Sequence, residues 1–256
     1  MKKLTSADYA VSAWSGGTTT QLAIWPPEAK YADRDFLWRI SSATVELEES
    51  DFTPLPDYDR LIATLEGEIV LTHNGGEPLT LRPLEVHAFS GADATHSRGR
   101  CRDFNLMLRR GQVIGAMEVL RLTETPVRID PVCSAGNLPA DPAPPVCNAG
   151  NLPADPAYVL LYCVEGSAHV GAVIGRPHGA PAFQVCHSER GEAESKNPPP
   201  PSPTFTLAPG EALLLTDPVP LTLTGPAVLM LCRIQPSPSG HNSPGDCCGF
   251  YHHLRS

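Results

Sequence analysis

The sequence predicts an all-β protein built from two related β-barrels in tandem, and three observations predict it. Short apolar runs recur between turn signals, with 28 prolines and 21 glycines and almost no helical periodicity in 256 residues. Within the runs, apolar and polar side chains alternate with the period of two that a strand requires. The runs of the second half also echo those of the first at a spacing of roughly 100 residues, which suits two barrels rather than a solenoid.

Taken in order, "FLWRISSATVEL" (36–47) is the first clear strand. "DRLIATLEGEIVLTHNGGEPLTLRPLEVHAFSG" (59–91) holds the next three, broken at Gly67, at Asn74-Gly75-Gly76 and at Pro83. The Asn-Gly-Gly triplet predicts a tight hairpin, because that turn needs positive φ, which Asn and Gly tolerate. "RDFNLML" (102–108) closes the first half. In the second half "YVLLYCVEGSAHVGAVIG" (158–175) resembles "RLIATLEGEIVLTHNGG" (60–76), with Glu-Gly between two strands in each. "FTLAPGEALLLTD" (205–217) follows "LTLRPLEVHAFSG" (79–91), and "AVLMLCRI" (227–234) matches "FNLMLRR" (104–110).

The expected organisation is an N-terminal barrel over 1–130, an insertion over 131–157, a C-terminal barrel over 158–234 and a disordered tail over 235–256. The first insertion contains "PVCSAGNLPADPA" (131–143) and its near copy "PVCNAGNLPADPA" (145–157), which differ only at Ser134 and Asn148. Near-identity over so short a span points to a recent duplication of DNA, not to a fold-bearing repeat. A second insertion, 186–203, is charged and then proline-rich. Neither can bury a core, so both read as surface loops or disorder.

A net charge of −9, a pI near 5.4 and the lack of a Lys/Arg cluster argue against nucleic acid or an anionic membrane as partner. No run of about 18 apolar residues predicts a membrane-spanning helix, and "MKKLTSADYAVSAW" has no apolar stretch after its lysines to suggest a secretory signal. The eight cysteines form no regular framework, since Cys133 and Cys147 sit in the duplicated segment and Cys247 and Cys248 are adjacent. Mostly reduced thiols in a cytoplasmic protein are expected. A homodimer is left open.

Motifs for common chemistries are missing. "WSGGTTT" (14–20) lacks the Gly-Lys-Ser/Thr of a phosphate loop. Ser15 and Ser90 each adjoin a glycine, but neither lies in Gly-x-Ser-x-Gly. Cys247, Cys248, His252 and His253 have no recognised metal-cage spacing. No catalytic set, metal or cofactor is expected.

The informative residues lie on the second faces of two strands. In "CRDFNLMLRRG" (101–111), Phe104, Leu106 and Leu108 form one face, while Asp103, Asn105 and Met107 form the other. Two readings stand: a half-exposed strand with a solvent face, or a barrel strand whose second face lines a ligand cavity. "WRISS" (38–42) alternates likewise, with Arg39 and Ser41 opposite Trp38 and Ile40. An inward Arg39 must be paired, because an unpaired buried charge is costly. Asp103 or Asp59 could pair it, and a ligand carboxylate could join through two parallel hydrogen bonds. "DYDR" (57–60) sets Asp59 and Arg60 at the entry of the next strand; a surface salt bridge is the plainer reading there. His87, after the Pro83 turn, is either a core-edge histidine or a hydrogen-bond donor at a pocket mouth.

The Glu-Gly rhythm followed by a proline turn resembles cupin barrels, so the fold class expected is a bicupin. The stretch before Glu66-Gly67 has no His-x-His, and His87 and His169 stand alone, so the three or four ligands a cupin metal needs are missing. "WSGGTTTQLAIWP" (14–26), "FLWRISSATVE" (36–46), "FTPLPDYDRLIATLEG" (52–67) and "RDFNLMLRRG" (102–111), in this order, resemble the HutD/Ves family. The resemblance is strong over about 10–115 and rests on strand rhythm alone over 158–234. It implies a metal-free bicupin linked to histidine utilisation, with urocanate or N-formylglutamate as ligand, and Glu where Gln21 stands here. The expected function is an accessory or regulatory protein that binds a small carboxylate metabolite in the N-terminal barrel. Its expected site is Arg39, Ser41, Asp59, Arg60, His87, Asp103, Asn105 and Met107. The alternatives are a metal-independent isomerase or lyase with Asp103 or His87 as base, and an interaction module with a filled barrel.

Overall fold

A computed structural model describes residues 1–130, 158–172, 204–217 and 219–237. The duplicated segment 131–157, the insertion 186–203 and nearly all of the tail lie outside the described residues.

Among the described residues, nineteen strands and one short 3-10 turn (Tyr31–Asp33) make up the regular structure. In the first half they are β1 (Lys2–Leu4), β2 (Ala10–Trp14), β3 (Gly17–Trp25), β4 (Trp38–Val45), β5 (Glu49–Asp51), β6 (Tyr58–Glu66) and β7 (Ile69–His73). These are followed by β8 (Leu79–Leu81), β9 (Val86–Ser90), β10 (Thr95–Arg98), β11 (Cys101–Arg109), β12 (Val113–Leu122) and β13 (Val127–Ile129). The second half has β14 (Tyr158–Gly166), β15 (Ala168–Ala172), β16 (Thr204–Leu207), β17 (Ala212–Leu215), β18 (Leu221–Thr224) and β19 (Ala227–Pro236).

Four antiparallel sheets form: β2-β3-β4-β11-β6-β9, β5-β10-β7-β8, β1-β17-β14-β19-β12 and β13-β18-β15-β16. They stack as two sandwiched barrels back to back. Ile62, Phe89 and Val45 of the six-stranded sheet meet Ile69, Leu71 and Leu81 of the first four-stranded sheet inside the N-terminal barrel. Trp38, Ile40, Phe104 and Leu106, on the other face of the six-stranded sheet, pack against Tyr158, Leu160, Met230 and Cys232 of the five-stranded sheet. That second sheet in turn encloses an aliphatic core with the last one. The halves exchange strands: β1 pairs with β17, β12 with β19 and β13 with β18.

The Glu-Gly pairs have a physical reason. Gly67 and Gly166 hold φ of +79° and +77°, and a Cβ there would lie 2.4 Å from the Arg100 carbonyl oxygen and 1.9 Å from that of Pro226. Only glycine fits a positive φ against neighbouring backbone, so the hairpin recurs with this residue in both halves. The predicted turn at Asn74-Gly75 also has positive φ, 53° and 68°.

Candidate functional site

Strand alternation and register decide which side chains share the interior of the N-terminal barrel. On β11, Asp103, Asn105 and Met107 share a face. Asn105 lies opposite Ser41 of β4 and Ile62 of β6, and Met107 lies opposite Arg39 and Arg60. Arg60 lies opposite Phe89 of β9, and Ile62 opposite His87. Arg39, Ser41, Arg60, Asp103, Asn105 and Met107 are therefore brought together inside the barrel, and each is no more than 7% exposed. The half-exposed alternative for β11 fails: its apolar face is buried between the barrels and its polar face is buried within the first.

Asp59 is not among them. Alternation turns it away from Arg60, to the outer face, where its carboxylate pairs with the Arg110 guanidinium at 2.8 Å. His87 lines the interior, but its Nε2 lies 2.9 Å from Nε2 of His73, on a ring stacked 5.1 Å away. His73 Nδ1 lies 2.8 Å from the Thr95 hydroxyl, which itself donates to the Asp93 carbonyl. The hydroxyl therefore accepts from His73 Nδ1–H, leaving His73 Nε2 to accept from His87 Nε2–H. Burial holds both imidazoles below the usual histidine value, His87 at about 4 with the His73 imidazole adding to the effect, and His73 despite the opposing charge of Asp93.

The two arginines are held without an ion pair among the described residues. Arg39 donates from Nε to Gln21 Oε1 at 2.8 Å and from Nη1 to the Ser41 hydroxyl at 2.9 Å. Its guanidinium lies 4.3 Å from the Tyr31 ring centre, and Arg34 lies 4.0 Å from the same ring. Arg60 donates from Nη2 to Asn105 Oδ1 at 3.0 Å and sits 4.8 Å from the Phe52 ring and 5.0 Å from that of Phe89. Its Nε is buried with no hydrogen-bond partner, as is the Thr64 hydroxyl. Burial pulls both guanidinium values down, Arg60 to about 10, so both remain cationic at neutral pH. Ring faces recover part of the lost hydration. Neutral oxygens recover another part, but they supply no countercharge.

Asp103 is the acid of the cluster. Its Oδ1 accepts from the Ala43 backbone N–H at 2.9 Å. Burial pushes its carboxyl up to about 6, despite opposing help from that N–H, from Asn105 and from the charges of Arg60 and Arg39. Gln21, Tyr31, Phe52 and His73 complete the surroundings and lay outside the sequence-predicted site. Gln21 carried a signal, as the position where the family resemblance implies Glu. The others meet the cluster across a loop or between two sheets, which alternation within one strand does not reveal.

Among the described residues no group of three or more His, Cys, Asp or Glu is placed to hold a metal ion. Cys101, Cys163 and Cys232 are buried free thiols, and no helix is long and apolar enough to cross a membrane.

Two barrels packed sheet to sheet, with Glu-Gly hairpins in matching places, define a bicupin. Solved structures share this fold. A conserved protein of unknown function from Pseudomonas aeruginosa PAO1 aligns at TM-score 0.61 and 19% identity, covering 93% of this chain and 98% of its own. HutD from Pseudomonas fluorescens SBW25, in a formate condition, aligns at 0.61 and 20%, covering 93% and 99%. A bacterial pirin from Escherichia coli in complex with nickel(II) aligns at 0.53 and 10%, covering 92% and 99%. No curated protein sequence matches. The HutD family model matches residues 6–132, and the chain belongs to the HutD family. It is accordingly a protein related to histidine utilisation.

Proposed function

We propose that the N-terminal barrel binds a small carboxylate metabolite of histidine breakdown, and that the protein acts as a cytoplasmic accessory or regulatory factor rather than through a resident metal. One observation carries this reading. Arg39 and Arg60 are two buried cations whose direct hydrogen-bond and ring partners are neutral, and Asp103 is the one buried acid near both among the described residues, so the barrel interior holds more positive than negative charge. An unpaired buried charge is costly unless something compensates it, and a ligand carboxylate is the missing partner that guanidinium geometry fits. Arg39 and Arg60 would hold carboxylate, with Ser41 and Asn105 as neighbouring hydrogen-bonding groups. Met107 supplies apolar contact, and Asp103 would hold a polar N–H of the ligand. His87, donating to His73, bounds the site rather than reaching into it. Urocanate and N-formylglutamate both carry a carboxylate and an N–H, and the family's link to histidine utilisation makes them the ligands to try.

Calorimetric titration of each into the wild type tests this reading. Saturable heat is expected, weakened about 10- to 100-fold by Arg39→Ala or Arg60→Ala, the range of a charge-assisted hydrogen bond. No heat with either ligand, or heat unchanged by both substitutions, would refute it.

A second reading has one observation in its favour. A carboxyl raised to about 6 is well matched to general-base work at neutral pH, so Asp103 could abstract a proton from a bound carboxylate substrate. Turnover that vanishes in Asp103→Asn while ligand binding persists would favour this enzyme reading over the binding one.

A further inference from the structure

The six-stranded sheet turns its other face toward the second barrel, and that face changes character along its length. Over Trp38, Ile40, Phe104 and Leu106 it is apolar and sealed. Further along the same strands the in-register residues are hydroxyls and a cation. Thr20 lies opposite Ser42, and Arg102 lies opposite Thr44. Here the barrels part and leave a half-open cavity of about 300 Å³, bordered by Tyr9 from the N-terminal arm and Tyr162 from the second barrel. Junctions between packed units are where small-ligand cavities concentrate, and this volume suits a small ligand.

The lining offers accessible hydroxyls, with Thr20 half-buried and Thr44 exposed. Thr20 and Thr44 make no side-chain hydrogen bond among the described residues. Ser42 donates to the Asp103 carbonyl at 2.6 Å, which leaves its hydroxyl oxygen free to accept, and Tyr9 donates to the Gly210 carbonyl at 3.0 Å. Hydroxyls that both donate and accept are matched by ligand groups that do the same. Arg102 lies beside Tyr162, and its Nε is buried with no hydrogen-bond partner among the described residues. Its ion-pair partner is Glu66 at 3.0 Å, on a side chain 71% exposed. An exposed pair of this kind is weak and readily exchanged for another carboxylate. The nearby acids Asp8 and Glu211 are already neutralised by Lys2 and Lys3.

We propose that this inter-barrel cavity is a second ligand site, distinct from the arginine cluster, and that it takes a small hydroxy acid of the sugar-acid type. Its carboxylate would replace Glu66 on Arg102, and its hydroxyls would pair with Thr20, Ser42 and Thr44. The exposed edge strand beside the cavity contributes Val11, and with the two tyrosine rings it offers apolar contact to the ligand's C–H groups.

Calorimetry on the full chain with D-gluconate, acetate and D-glucose tests the proposal, because the two controls each lack half of the recognised chemistry. Gluconate is expected to bind at least about 10-fold more tightly than either control, with Arg102→Gln weakening it about 10-fold or more. Thr20→Val, which keeps strand propensity and shape, is expected to weaken gluconate about 3-fold or more. It carries the test alone if Arg102→Gln does not fold. Arg39→Ala should leave gluconate binding unchanged. Failure of gluconate to bind, equal binding of acetate, or loss through Arg39→Ala without loss through Arg102→Gln would overturn the proposal. None of these outcomes bears on the urocanate and formylglutamate test of the first barrel.

Discussion

In the C-terminal barrel, β14 turns Val159, Leu161 and Cys163 inward and β19 turns Leu229 and Leu231 inward, all at most 1% exposed. In the N-terminal barrel the matching strands, β6 and β11, turn Arg60, Thr64, Asp103 and Asn105 inward together with Ile62 and Met107. The nine buried polar or charged side chains among the described residues all lie between Arg39 and Asn105, and none lies in the second barrel. One strand plan therefore supports a barrel filled with hydrocarbon and a barrel that shares its interior between an apolar cluster and polar groups that satisfy each other only in part. Hydrocarbon packing is the stabilising choice, and a buried cation without a countercharge works against it. The contrast is what supports the proposal of a ligand site in the first barrel.

The largest expected effect breaks the hydrocarbon side of the comparison. Leu161→Ala or Leu213→Ala, each at a position with no exposure, should cost about 2–5 kcal/mol of stability in denaturant unfolding through lost burial and a cavity. Either variant, where folded, should bind carboxylates as the wild type does. On the polar side the sign reverses. Arg60→Met replaces a buried cation with a flexible apolar chain, so stability should hold or rise by about 1–4 kcal/mol, while carboxylate affinity is lost.

Next come two groups whose pH effects oppose. Between about pH 4 and pH 6 folded Asp103 keeps a proton that the unfolded chain has released, so its burial costs more as pH rises through that window. Over about pH 4 to 6.5 folded His87 lacks a proton that the unfolded chain binds, so its burial costs less as pH rises. Each amounts to about 2–3 kcal/mol at the limit, and together they nearly cancel. Asp103→Asn should therefore leave stability rising with pH across this window, and His87→Gln should leave it falling. Unfolding curves from pH 4 to 7 would expose the error if both variants keep the wild-type profile.

A finer test concerns Gln21, which accepts from Arg39 Nε at 2.8 Å. Gln21→Glu places a second negative charge directly on Arg39, so carboxylate binding should weaken by about 10-fold, the worth of one charged partner. The smallest effect is expected at Asp59, outside the barrel. Asp59→Asn should change stability by about 1 kcal/mol or less and leave binding untouched, since its pair with Arg110 is about a third exposed.

Much of this was legible in the sequence. Alternation in "CRDFNLMLRRG" and "WRISS" separated the two faces correctly, and Glu-Gly marked both hairpins. Four things were not legible. Asp59 and Arg60 are adjacent and looked like one charged entry to a strand, yet the pleat sends them to opposite faces. The letters Leu-Met-Leu match between β11 and β19, but Met107 points into its barrel whereas Met230 points between barrels. A bulge near Cys163–Glu165 and another at Arg102–Asp103 shift the pairing, and letter matching cannot detect such shifts. The His73–His87 contact and the Tyr31 ring over Arg39 are long-range meetings that no local pattern encodes. The exchange of β1 and β12 between halves was hidden for the same reason.

The central claim is that the first barrel's unpaired arginines await a carboxylate, and melting temperature measures it directly. Wild type and Arg60→Met would be melted with and without saturating N-formylglutamate, and with and without urocanate. Binding to the folded state alone raises the melting temperature. The account predicts that at least one ligand raises it for the wild type, while Arg60→Met melts at least as high unliganded and gains nothing from either. A wild type unmoved by both ligands, or an Arg60→Met variant raised as far as the wild type, would contradict it.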